Sequence, residues 1–134
     1  MEISTPLTFG TRIEGSIEEV RPAVEAALKA EGFGILTEID AEATLRARLG
    51  AEIGPFMILG TCNPALALAA IRADPSVAAL LPCNVVLRAD GPRTVVEAES
   101  QEAAANMFIG HPHFTIFPGD GVEIMECLPI PQRP

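Results

Sequence analysis

The sequence predicts a single α+β domain of about five strands with helices between them. Three observations carry this. Short apolar runs recur between turn residues at strand rather than membrane length. Ser16, Asp40 and Asn63-Pro64 each open a segment with helical start chemistry. Two apolar runs carry matching Cys-Asn pairs, Cys62-Asn63 at the end of one and Cys83-Asn84 at the start of the other. Antiparallel pairing brings those two pairs together, whereas parallel pairing puts them at opposite ends of the sheet. We expect the antiparallel arrangement.

In chain order, Leu7 to Glu14 reads as the first strand, with Leu7, Phe9 and Ile13 alternating loosely against Thr8 and Arg12. Gly15 ends it. Ser16 with Glu19 three residues on forms a capping box. Ile17, Val20, Val24, Ala27 and Leu28 then make an apolar stripe at helical spacing. Pro22 removes a donor and should bend the start of this helix, and Gly32 is its expected C-cap. Phe33 to Ile39 is the second strand, and Asp40 caps a short helix, Ala41 to Leu49, closed by Gly50. Phe56 to Thr61 is a largely apolar third strand, in which Gly60 marks a bulge or a close backbone approach. Asn63-Pro64 starts a helix with Leu66, Ala67, Ala70 and Ile71 on its buried side. Asp74-Pro75 repeats the signal for a shorter helix that Pro82 stops. Asn84 to Ala89 and Arg93 to Glu99 form a hairpin around Asp90-Gly91.

Composition bounds the function. The 134 residues are 49% hydrophobic and 20% charged, which fits one packed domain rather than a disordered chain. The net charge of −9 argues against nucleic acid and anionic membrane surfaces as partners. No apolar run reaches the roughly 20 residues of a membrane helix, and the N-terminus lacks signal-peptide character. The expected setting is cytoplasmic, with the three cysteines as free thiols.

The cysteines are the first candidate site. Cys62 lies just before a helix N-terminus, where backbone donors and the helix dipole lower a thiol pKa. That suits a nucleophile, a sulfur carrier or a ligand, with Cys83 resolving. The alternative is two small buried hydrophobes at strand ends. Asn63 is accounted for by capping, but Asn84 at the head of an apolar strand needs a polar partner if buried. Glu38 and Asp40 are candidate pocket carboxylates, against the plainer reading of a helix cap and a solvent-facing strand residue. His111 and His113 with Cys127 make a weak metal motif lacking a fourth ligand, so no metal is expected. No motif specifies a cofactor or an enzymatic reaction.

The runs GFGILTEIDAEATLRARLG (Gly32–Gly50), ILGTCNPALALAAI (Ile58–Ile71), LLPCNVVL (Leu80–Leu87) and VVEAES (Val95–Ser100) resemble the domain of unknown function 302 family of bacteria and archaea. The resemblance spans roughly residues 5 to 112. It implies a TATA-binding-protein-like topology, a single antiparallel sheet with helices packed on one face. It also implies a homodimer and no established activity. Domain boundaries follow as 1–112 for the family-like unit and 113–134 for a divergent extension. Family members typically finish with a charged amphipathic helix. Here Gln101 to Gly110 starts in that way, but the chain after Pro112 has four prolines and no helical period. It reads as a short hairpin, His113 to Phe117 and Val122 to Leu128, in a replaced or frame-shifted ending. Without the terminal helix, part of the sheet is left needing a cover. Two functions remain open: a homodimeric module binding a small-molecule ligand or partner near the Cys-Asn pairs, or a thiol-dependent redox or sulfur-handling protein using Cys62.

Overall fold

The computed structural model describes residues 2–5 and 7–99. They form strands β1 (Glu2–Ser4) and β2 (Thr8–Glu14), helix α1 (Ile17–Ala30), strand β3 (Gly34–Asp40), helix α2 (Ala41–Leu49) and strand β4 (Phe56–Cys62). Helix α3 (Pro64–Ala73), a 3-10 helix (Pro75–Leu80) and strands β5 (Cys83–Asp90) and β6 (Arg93–Glu99) follow. The strands make one antiparallel sheet in the order β1-β2-β6-β5-β4-β3. The sequence led us to expect about five strands; the sixth is β1, a three-residue edge strand paired with β2. Three residues are too few for an alternating pattern to register. The expected helix at Gln101 to Gly110, the hairpin beyond it, the boundary at 112, His111, His113 and Cys127 all lie outside the described residues.

Local chemistry sets the helix starts. The Ser16 side chain accepts from the Glu19 amide at 3.2 Å, and the Glu19 carboxylate accepts from the Ser16 amide at 3.0 Å. This holds the Glu19 carboxyl below the usual range. Asp40 caps α2 through the Ala43 amide at 2.9 Å. At the other end of α1 the cap falls on Glu31, one residue before the glycine we expected, and Gly32 takes the left-handed conformation that follows a helix end (φ +86°).

Strand alternation decides what α1 covers. Met57, Leu59 and Thr61 of β4 register with Leu87, Val85 and Cys83 of β5, and Val85 and Leu87 register with Ala98 and Val96 of β6. These residues share one face. Val20 and Val24 of α1 pack on Leu59, Val85 and Leu87 to form the buried core, with Ile13, Ile17, Leu28 and Ile35 around it. Each fully buried side chain of this size contributes on the order of 1.5–3 kcal/mol. Helix α3 adds a smaller buried patch with the 3-10 helix through Ala67, Ala70 and Val77. Ile71, expected in that buried face, is exposed instead, because α3 turns its alanines inward.

The opposite face carries Ile58, Val86 and Val95 and is cross-linked by ion pairs. Arg12 pairs with Asp90 at 2.9 Å and Arg88 with Glu97 at 2.8 Å. Thr8 Oγ1 donates to Glu97 at 2.9 Å. Val95, fully buried, lies in register between Arg12 and Arg88. Gly60 faces this side opposite Thr37, beside a register shift in β3. A Cβ at Gly60 would press on Thr37 Oγ1 and lie 2.7 Å from Pro82 Cγ, so the glycine serves a close approach.

Candidate functional site

Strands β4 and β5 are antiparallel neighbours, with Thr61 opposite Cys83 and Gly60 opposite Asn84. The two Cys-Asn pairs therefore meet at one end of the sheet. Buried Thr61 ties the strands there, its Oγ1 donating to the Cys83 carbonyl at 2.8 Å. Cys62, Asn63 and Cys83 line a cavity of about 10 Å³ closed by Phe33, Leu66 and Leu81. That is room for about one water. Asn63 Oδ1 accepts from the Leu66 amide at 3.4 Å and caps α3. Asn84 is exposed, so water can serve its side chain.

Of the two readings of the cysteines, burial favours the small hydrophobe over the stabilised thiolate. Burial pushes the Cys62 thiol up, and the neighbouring Cys83 adds to the rise. The helix start lies one residue on, at Asn63. Both cysteines are free thiols. Among the described residues no three His, Cys, Asp or Glu side chains gather as a metal site.

The two candidate carboxylates have separate partners. Asp40 is the α2 cap and lines a cleft of about 490 Å³ between α1, the start of α2 and β4. Glu38 pairs with Arg21 at 2.6 Å, and that hydrogen bond holds its carboxyl low. Arg21 itself lines the cleft, with Glu18, Glu25 and Glu42 around it.

The concave feature with the stronger apolar character lies on the other flank of α1. A groove of about 430 Å³ runs between that helix and strands β2, β6 and β5. Its floor is Ile13, Val85, Val96 and Ala98, and its helical wall is Ala23, Val24, Ala27 and Leu28. Phe9, Phe33, Thr61 and Cys83 stand at one end. Register fixes that end: Thr8 pairs with Glu99, Ala98 with Val85, Thr61 with Cys83, and Cys62 with Gly34. The groove thus reaches the Cys-Asn end of the sheet, and Cys83 lines both it and the small cavity.

The family described as "Domain of unknown function DUF302" matches residues 9–115. The chain belongs to the DUF302 family. Its fold is similar to the crystal structure of an uncharacterized conserved DUF302 protein from Bacillus stearothermophilus, at 25% identity over 77% of each chain, with a TM-score of 0.64. A search of curated proteins finds no match. Every groove residue of this DUF302 domain falls within the matched span.

Sequence reasoning did not find the groove. Its residues come from α1, β2, β4, β5, β6 and the turn before β3, and apart from Cys83 and Asn84 none is marked by a motif. One signal was present. Ala23 and Ala27 sit beside Val24 and Leu28, so α1 carries small residues along one flank of its apolar stripe, where a bulky residue would fill the space.

Proposed function

We propose that this DUF302 protein is a homodimeric binding module that takes a small apolar molecule in the groove beside α1. The groove's volume and its aliphatic and aromatic lining support this reading, since pockets for small ligands run from about 300 to 1,000 Å³ and are mostly apolar. The half-buried Cys62 thiol, pushed up by burial, fits a binding role better than thiol chemistry. Free cysteines also suit a cytoplasmic setting. No helix among the described residues is long and apolar enough to cross a membrane. The dimer reading draws on β3, an edge strand that leaves Leu36 63% and Ile39 48% exposed.

The test is calorimetric titration of the full chain with 1-octanol. Saturable binding is expected, and Ala27→Phe, which puts a ring into the groove from the exposed side of α1, should abolish it while circular dichroism shows the fold intact. Absence of saturation, or binding unaffected by Ala27→Phe, would overturn the groove as the site. Sedimentation equilibrium tests the dimer separately: a monomer at all concentrations refutes it.

A further inference from the structure

A charged ligand needs a counter-charge in its site, since an ion taken out of water without one costs far more than apolar contact returns. The groove beside α1 offers none of either sign. Val96 and Ala98 of β6 form part of its floor, so Glu97 and Glu99, which alternate with them, project from the other face of the sheet. On that face Glu97 meets Arg88 and Thr8, and Glu99 stands opposite Thr8 in register. No Lys or Arg lines the groove among the described residues. Glu31 remains, but it stands exposed at the end of α1, where water solvates its carboxylate and an ion pair contributes little.

The rest of the sequence holds little that could pair with an anion. Beyond Glu99 it has one Arg, Arg133, and no Lys, against Glu102, Asp120, Glu123 and Glu126. The net charge of −9 adds a field that repels anions from the whole molecule. On the groove side of the sheet the polar side chains are hydroxyl and thiol groups, Thr11, Thr61 and Cys83, of which Thr61 is committed to the Cys83 carbonyl.

We infer that the groove's ligand carries no ionised group: it is a neutral, largely hydrocarbon molecule of the class of long-chain or terpenoid alcohols, not a fatty-acid anion or an alkylammonium. This rests on the proposal that the groove binds a small molecule and adds the chemical class of that molecule. Ile13 and Val85 on the floor and Val24 and Leu28 on the wall give apolar contact along its length. With a groove of about 430 Å³, an octyl chain fits inside together with its head group, so the head meets these side chains rather than bulk water.

The test uses the full chain at pH 7 and three probes of equal chain length: 1-octanol, octanoate and octyltrimethylammonium, each titrated calorimetrically below micelle-forming concentrations. The alcohol should bind roughly tenfold or more tightly than either ion, because only the ions lose hydration that the groove does not replace. Ala23→Lys places an ammonium on the exposed helical wall of the groove and should raise octanoate affinity relative to the alcohol severalfold, with circular dichroism showing the fold intact. Binding of octanoate or the ammonium as tight as that of the alcohol, or an octanoate-to-alcohol ratio that Ala23→Lys leaves unchanged, overturns the neutral class while leaving the groove as a binding site. No binding of any probe overturns the groove itself, including the case in which the chain's own residues beyond Glu99 occupy it.

Discussion

Replacing Gly10 with alanine should be among the most damaging single-methyl changes available in the sheet. Gly10 of β2 pairs with Glu97 of β6. A Cβ built there runs into the Val96 carbonyl oxygen and lies 2.8 Å from Glu97 Cα and 2.9 Å from the Val96 carbonyl carbon. Carbon atoms prefer separations of roughly 3.5–4.0 Å. Every obstructing atom is main chain, so no rotamer change relieves the contact, and β2 must move away from β6 or twist. Overpacking of this kind costs about 3 kcal/mol. For a chain of 134 residues that is a fall in Tm on the order of 10 °C. Gly60→Ala meets Thr37 Oγ1, which can rotate, and the Pro82 ring, which yields less, so it should cost roughly 1–2 kcal/mol. Gly34→Ala meets nothing within 4 Å and should stay within about 0.5 kcal/mol of the parent. Urea unfolding followed by circular dichroism gives the three midpoints at constant m. If Gly10→Ala unfolds at the same urea concentration as Gly34→Ala, the close approach of β2 and β6 is wrong.

The carboxylates predict an acid response with two signs. Burial alone would raise Glu97, whose side chain is 11% exposed, but hydrogen bonds from Arg88 and Thr8 with the charges of Arg88 and Arg12 outweigh it and hold the carboxyl low. A lowered folded pKa contributes stability above the ordinary Glu range and loses it as pH falls through the folded value. Glu97→Gln should therefore cost about 1 kcal/mol at pH 7, after allowance for the partly exposed Arg88, and should flatten the decline in acid. Glu99 runs the other way: burial raises its pKa, so the fold loses stability as pH rises from the ordinary Glu value through the folded one, and Glu99→Gln should stabilise at pH 7. Urea midpoints at pH 4 and 7 measure both, and a Glu97→Gln midpoint unchanged at pH 7 would sink the ion-pair account. At Cys62, iodoacetamide labelling of native protein at pH 7.5 should be slower than for a free thiol and should rise with pH. Rapid labelling with an inflection below about 7.5 would restore the thiolate.

The sequence by itself determined where the elements begin and end, because those signals act within four or five residues. Ser16 with Glu19, Asp40 with Gly50, Asn63-Pro64 and Asp90-Gly91 each satisfy or redirect backbone groups next to them, and each stands where the chain changes state. The Cys-Asn pairs told more, since matching ends of two strands meet in antiparallel pairing. Edge strand β1 was too short to carry a pattern. Which of the two readings of Cys62 applies could not be read locally, because a helix start argues for a thiolate, whereas hydration is lost to Phe33, Leu66 and Leu81, which line the cavity with it. The groove was beyond sequence for the same reason. Phe9, Ala27, Val85 and Ala98 become neighbours only when β6 inserts between β2 and β5 and α1 lies back across them. Capping and turn energies are local and can be read from the sequence; burial, and therefore the character of a thiol or a pocket, depends on which distant side chains displace water, and only the packed sheet decides that.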